Sequence, residues 1–287
     1  MKIASIFRLF AVSAALFAAS GTATAADANP TLLRVGVAPG PYGDIFAKGI
    51  APGLERLGYK VKVVQFQDYV QPDLALENGE TELNLFQHQP YLEKFAADHG
   101  LHLAPVVTIP TAELGLFGGL RKSLKDLKPG DEVTITQDPT NLARGLRFLQ
   151  AVGLIKLKAD IDQTKASLKD IAENPYGLKI TPIEAAQVPR SLDSVAIAVV
   201  NGNYAISAGL KLSDALVLEN LPDNLHITLT VRAADRDKKF VSDLKTIIES
   251  REFYDAIADP KNNFDAFSRP AWFKVKWSKP ATSSDVK

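Results

Sequence analysis

The sequence predicts an α/β protein built as two units. Strand-like and helix-like periodicities alternate over residues 33–100 and restart over 133–200. Strand-rich junctions near 111–118 and 216–230 separate the two runs and close the second. Alternation of this kind is the mark of parallel sheets whose strands are joined by helical crossovers.

The first unit opens on Leu33-Arg34-Val35-Gly36-Val37, an alternating strand broken by Pro39-Gly40-Pro41. Ile45, Leu54 and Leu57 recur at helical spacing until Gly58. Val61, Val63 and Phe66 mark a second strand, and 72–78 a short helix ended by Gly79. A third strand over 83–86 leads to a helix over 91–99, stopped by Gly100. In the second unit, 133–135 is a strand and 141–152 a helix closed by Gly153. A strand at 178–183, a helix at 185–192 and an apolar strand at 195–200, buried on both faces, follow. A last strand at 227–231 precedes helices near 238–250 and 252–258, and the tail after Pro270 is less regular.

Residues 1–25 stand apart from the fold. Lys2 and Arg8 precede an apolar run at 9–19, and Ala23-Thr24-Ala25 offers a cleavage site, so a secretory signal peptide is expected, with the mature chain starting near Ala26. That segment holds two of the 33 basic residues and none of the 33 acidic ones, leaving 31 against 33 and a net charge of −2. No nucleic acid or anionic membrane surface is implied. The chain has no cysteine, which excludes disulfides, thiolate metal sites, cysteine nucleophiles and a lipidated cysteine. A soluble periplasmic location without a lipid anchor is therefore expected. Met1 is the only methionine, so the mature chain contains no sulfur. Chance, avoidance of oxidisable side chains, or sulfur economy would each produce this.

Three constellations sit where strands give way to helices, the edge at which open α/β sheets bind ligands. Tyr69, Phe86, His88 and Tyr91 form an aromatic group with polar tips, more suited to a pocket than a core. Asp138-Pro139-Thr140-Asn141-Leu142-Ala143-Arg144 opens a helix. There free N–H groups and Arg144 could hold a carboxylate, or Thr140 or Asn141 could simply cap. Asn201-Gly202-Asn203-Tyr204-Ala205 follows the most apolar strand and offers amide carbonyls for an ammonium group, or only a turn. One arginine, several asparagines and an aromatic slot together describe a site for a free amino acid. His99 and His102 are split by Gly100, so no metal site is expected. The chain carries no P-loop, no G-x-G-x-x-G and no nucleophile elbow, so no catalytic residue and no cofactor are expected either.

The segments VGVAPGPYGDI, QDYVQPDLALENGE, NLFQHQPYLEKF, DPTNLARGLRFLQAVGLI, ENPYGLKI, EAAQVPRSLDSVAIAVVNGNYA and TLTVR, in this order, resemble the NlpA family of methionine-binding proteins of bacterial ABC importers. The resemblance runs from about Leu33 to about Tyr254. It implies a two-lobed periplasmic-binding-protein-like fold of type II, with a hinge between the lobes and ligand in the cleft. Lobe 1 would take 30–112 and 228–270, lobe 2 113–227, and 271–287 would form a C-terminal tail. It implies capture of L-methionine or a related amino acid or organosulfur compound, and handover by a monomer to a permease and ATPase pair. By motif, the side-chain pocket falls on Tyr69, Phe86, His88 and Tyr91, the carboxylate-binding arginine on Arg144, and the head-group contacts on Asn141 and Asn201. The chain departs from the family in lacking the lipidation cysteine. It has Ile227 where an asparagine is usual, and 113–119 reads Glu-Leu-Gly-Leu-Phe-Gly-Gly. An enzyme built on the same two lobes, or a sensor without a transporter, are the competing classes.

Overall fold

The computed structural model describes residues 31–278, so the leader read at 1–25 lies outside the described residues. β1 (Leu32–Val37) buries Leu33, Val35 and Val37. After the turn at 39–41, α1 (Tyr42–Ile45) runs through a π-helical stretch, Phe46–Ile50, into α2 (Ala51–Arg56). The spacing had predicted one regular helix. Gly49 in the π stretch has a Phe253 ring carbon 2.9 Å from where its Cβ would stand, so this face is packed without room for a side chain.

β2 (Lys60–Gln65), α3 (Gln71–Glu77), β3 (Leu83–His88), α4 (Gln89–His99) and β4 (Leu103–Thr108) complete the first run. The chain then crosses over through 109–114. The second run is β5 (Gly115–Gly118), β6 (Glu132–Thr136), α5 (Pro139–Ala151), a small ribbon of β7 (Lys156–Leu157) and β8 (Ile171–Glu173), and β9 (Lys179–Ile183). α6 (Val188–Ser191), β10 (Ile197–Val200), α7 (Gly202–Ser207) and β11 (Val217–Leu218) follow. A return crossing through 219–226 leads to β12 (Ile227–Arg232), α8 (Lys239–Ile248), α9 (Arg251–Ala258) and α10 (Ala271–Trp277).

Two five-stranded sheets result, one in each lobe. The first has the order β2-β1-β3-β12-β4 and the second β11-β5-β10-β6-β9. The expectation of purely parallel sheets is corrected. β12 runs antiparallel to both β3 and β4, and β5 antiparallel to β10 and β11. Strand direction is not written in apolar periodicity, and β12 enters the first sheet only after the chain has built the second. β4 escaped the sequence reading because Pro105 looks like a breaker. It lies on an edge strand beside a register shift, a place where a missing N–H costs little.

Each sheet has its own core. The first gathers Leu33, Val35, Leu83, Leu85, Leu229 and Val231 against Phe46, Leu54, Leu244 and Phe253. The second gathers Val133, Ile135, Ile197 and Val199 against Leu146 and Leu149. Buried polar groups tie α3 to β3. Asp73 Oδ1 accepts from Asn84 Nδ2 at 3.0 Å and Gln87 Nε2 at 2.8 Å, and Asn84 Nδ2 also donates to the Pro72 carbonyl. Gly36 is required beside them, because its Cβ would stand 2.2 Å from Asn84 Oδ1.

The C-terminal segment is also corrected. The first residues of the expected tail form α10, and Phe273 is 1% exposed within the first core, edge-on to Phe253 and stacked on Tyr254. Its short amphipathic pattern, interrupted by Lys274 and Lys276, carries too little periodicity to be read without its partner surface. Phe273→Ala should cost about 3–5 kcal/mol of unfolding free energy by opening a cavity, measured by urea unfolding. A change below about 1 kcal/mol would mean that α10 is not part of the folded lobe.

Candidate functional site

The two lobes meet over a narrow cavity whose free space is only about 20 Å³, nearly filled by its own side chains. Its walls include Tyr69, Phe86, His88, Tyr91, Asn141, Arg144 and Asn201, all seven positions singled out from sequence. Tyr42, Thr111, Ala112, Gly202, Asn203 and Ile227 complete the lining together with Gln87. Only Ile227 among these additions had been marked in the sequence, as a departure from a family pattern. Asn203 lay within a quoted motif but was not chosen, because a turn explains Asn-Gly-Asn equally well.

β3 delivers Phe86 and His88 to its C-terminal edge, two residues apart and therefore on one face. Tyr69 comes from the loop before α3, where Asp68 Oδ1 accepts from the N–H groups of Val70 and Gln71. Tyr69 stacks on Phe86 at 5.9 Å between centroids, lies edge-on to Tyr91 at 5.8 Å, and tilts against Tyr204 at 5.1 Å. Burial, above all, holds the Tyr69 hydroxyl well above the ordinary phenol range.

Their spacing of three suggests that His88 and Tyr91 share one helix face. Instead His88 is the N-cap of α4, and its Nδ1 accepts from the Tyr91 backbone N–H at 3.2 Å. That bond assigns the proton of the neutral ring to Nε2, which donates to Asn141 Oδ1 at 3.3 Å. Burial, reinforced by the positive charge of Arg144, lowers the His88 pKa to about 3. The ring stays neutral at physiological pH.

α5 is capped by Asp138, not by Thr140 or Asn141. Asp138 accepts from the Asn141 N–H at 2.9 Å and from Asn141 Nδ2 at 3.0 Å. Asn141 Oδ1 also accepts from Asn201 Nδ2 at 3.1 Å, and Asn201 Oδ1 accepts from Thr136 Oγ1 at 2.7 Å. The asparagine carbonyls proposed for an ammonium group are thus already engaged with protein donors.

Arg144 is 5% exposed and pairs with Glu219, itself 9% exposed. Glu219 takes the Nε edge at 3.0 Å together with Nη2. Nη1 makes no hydrogen bond among those of the described residues, so the free end of the guanidinium, Nη1 with Nη2, is what remains for a carboxylate. Sequence reasoning missed Glu219. It lies 75 residues from Arg144 in an unremarkable Leu-Glu-Asn stretch, and only the return crossing brings it back.

Among the described residues, four hydrogen bonds join the lobes across the cavity, apart from those at the chain crossings. Besides His88 to Asn141, Tyr69 donates to Asn203 Oδ1 at 2.6 Å, Asn203 Nδ2 to the Pro39 carbonyl at 2.8 Å, and the Tyr204 hydroxyl to the Gln67 carbonyl at 3.3 Å. The lobes are therefore drawn together over the cavity. Gly202 packs where a Cβ would stand 2.4 Å from the Glu113 carbonyl and 2.7 Å from the Ala112 carbonyl carbon, so no side chain fits at this junction. His99 and His102 do not converge: His99 stacks on Phe95, and His102 bonds Glu77.

The profile of the NlpA lipoprotein family matches residues 33–272. A relative described as D-methionine-binding lipoprotein MetQ, from Yersinia pestis, is 37% identical over 251 residues, covering 85% of this chain and 92% of its own. Among solved structures, a nutrient binding protein from Burkholderia cenocepacia bound to methionine superposes with a TM-score of 0.75 at 38% identity. That match covers 79% of this chain and 96% of that one. The methionine binding protein MetQ gives a TM-score of 0.77 at 34% identity, covering 83% and 97%.

Two buried groups near the cavity carry opposed pH dependences. Neutral His88 stabilises the fold above its unfolded pKa of 6.5, and that contribution fades as pH falls toward about 3. Asp73 is raised by burial from 3.8 to about 7, so its contribution is complete below 3.8 and fades as pH rises to about 7. Between about pH 4 and 6.5 the two largely cancel. In Asp73→Asn the His88 contribution stands alone, and stability should rise with pH across that window more steeply than in the unaltered protein, by up to about 1.4 kcal/mol per unit. Urea unfolding at three pH values reads the slope; equal slopes would refute a protonated Asp73.

Proposed function

The chain belongs to the NlpA lipoprotein family, and on that premise we propose that it is a periplasmic substrate-binding protein for L-methionine or a closely related amino acid or organosulfur compound. The observation that carries this reading is the joining, in one cavity between the lobes, of a buried guanidinium with a free end and an aromatic slot. Arg144 would take the ligand carboxylate end-on. Tyr69, Phe86 and Tyr91 would surround the side chain, where a thioether gains about 0.3–1.5 kcal/mol against an aromatic ring. His88, Asn141 and Asn201 would exchange some of their mutual bonds for bonds to the head group.

The same geometry favours gripping over reacting. His88 donates from Nε2 and accepts at Nδ1, so both ring nitrogens are occupied, and its depressed pKa makes it a weak base. Among the described residues, no serine or lysine lines the cavity. In this reading the lobes, 30–112 with 228–270 and 113–227, move about the two crossings, and the closed monomer is presented to an ABC permease and ATPase pair. In the same reading the leader at 1–25 would be removed on export and the cysteine-free protein would stay unanchored, unlike the lipoproteins that its relatives are named as. The sulfur-free mature sequence fits a scavenging role under sulfur limitation.

Calorimetry and thermal-shift measurements with L-methionine, D-methionine, methionine sulfoxide, leucine and norleucine test the ligand. L-methionine should stabilise the protein as mass action requires. It should bind more weakly than to relatives that carry an amide at the position of Ile227. Stabilisation by sulfur-free ligands alone would exclude scavenging, and no response across the panel would exclude an amino-acid ligand.

Arg144→Lys keeps a cation opposite Glu219 but loses the planar fork. It should weaken binding at least about tenfold, the equivalent of roughly 1.5–3 kcal/mol. Unchanged affinity would remove Arg144 from the site.

A further inference from the structure

Among the described residues, Arg144 is the only charged side chain lining the cavity, and its charge is already matched. Glu219, its side chain 9% exposed against 5% for its partner, holds the Nε edge and Nη2. Its backbone N–H donates to the Leu114 carbonyl at 2.9 Å, so it is fixed on the return crossing against the outgoing one. Behind Asn141 stands a second carboxylate, Asp138, accepting from Asn141 with both oxygens. The remaining nearby charges, Arg147 one turn along α5 and Glu113 on the outgoing crossing, are opposite in sign. The cavity therefore has no surplus positive charge to give a ligand. A bare carboxylate entering it would leave an uncompensated anion among buried groups, which is expensive. A zwitterion brings its own counter-charge.

We propose that Glu219 is a positioning residue that fixes the free end of Arg144 and balances its charge, so that the site accepts zwitterionic α-amino acids and rejects the matching acids that lack the ammonium group. This rests on the amino-acid reading above and narrows it: organosulfur compounds with a single negative charge are excluded as ligands. Selection arises without a carboxylate in contact with the ammonium group. Charge balance around Arg144, rather than a dedicated amine-binding side chain, penalises the anion.

The test compares two pairs by calorimetry: L-methionine with 4-(methylthio)butanoate, and leucine with 4-methylpentanoate. The unaltered protein should bind the zwitterion of the pair it recognises at least about a hundredfold more tightly than the anion. In Glu219→Gln the anion can become the counter-ion of Arg144, and the ratio should shrink at least about tenfold. Glu219→Asp keeps the charge and should keep the ratio, even where both affinities fall; a merely structural role for Glu219 would lower both affinities in all variants and leave the ratio unmoved.

A zwitterion and its anion binding the unaltered protein equally would overturn the proposal, whether or not Glu219→Gln folds, and leave the amino-acid reading standing. A ratio unchanged in folded Glu219→Gln would also overturn it. Failure of both zwitterions to bind would overturn the amino-acid reading and this inference together.

Discussion

The side-chain amide of Asn141 is the point on which the arrangement of the cavity depends. Its nitrogen is held by the cap of α5, Asp138, and its oxygen receives His88 from lobe 1 and Asn201, the cap of α7. Three secondary-structure ends are thereby fixed relative to one another by one planar group. The consequences run outward in both directions. Because Asp138 orients the amide, Asn141 presents only its carbonyl to the cavity, and His88 must then donate from Nε2. That tautomer in turn requires Nδ1 to accept, which the first turn of α4 satisfies through Tyr91. The cap of one helix in lobe 2 thus decides the tautomer of a histidine capping a helix in lobe 1.

The buried pair of Arg144 and Glu219 adds a second constraint of a different kind. Ion pairs of this burial contribute little net stability, because desolvating both groups offsets most of their attraction. Their value here is geometric. A lone arginine carries rotamer freedom that a ligand must remove, whereas Arg144 is already held along one edge. Its partner sits on the return crossing, so the orientation of the guanidinium follows the path of the chain between lobes. Glu113, on the outgoing crossing, has its carboxyl raised above the ordinary range, chiefly by burial, with the negative charge of Glu219 adding to it. Charges on both crossings therefore respond to the same arginine.

Much of this was legible in the sequence because the seven chosen residues lie at strand-to-helix edges, where chain punctuation by Pro, Gly and Asn is strong. Strands such as 197–200 are apolar throughout and could be placed without a partner. What sequence could not supply was pairing across distance. Glu219 has no local signature, since a glutamate in a polar stretch reads as a solvated charge until the crossing buries it. The antiparallel insertion of β12 was hidden for the same reason: the residues that select its neighbours, in β3 and β4, lie more than a hundred positions earlier. α10 was lost because a seven-residue helix has too few periods to stand out, and its stability comes from Phe253 and Tyr254 rather than from its own propensity. The caps were misassigned by small steps. Asp138, Thr140 and Asn141 are all competent capping residues, and only backbone geometry decides among them.

The four bonds between lobes bear on how occupancy and closure are coupled. A ligand shifts a two-state equilibrium only by the difference in its contacts between the states. Asn203 with Pro39 and Tyr204 with Gln67 are protein-to-protein bonds with partners outside the cavity lining, and they favour the closed arrangement whatever lies in the cavity. Each is worth about 0.5–1.5 kcal/mol, a modest bias that ordinary solvation of the open lobes can offset. His88 with Asn141 and Tyr69 with Asn203 are different, for both partners of each line the cavity, where a bound molecule would compete for the same atoms. A molecule that replaces such a bond with two of its own, one to each lobe, tightens closure. One that breaks it and reaches a single lobe loosens closure. On the proposed function, length and end-group chemistry would be selected by the same residues that join the lobes, and a ligand too short to span from Arg144 to the aromatic slot would weaken the closed state by binding within it.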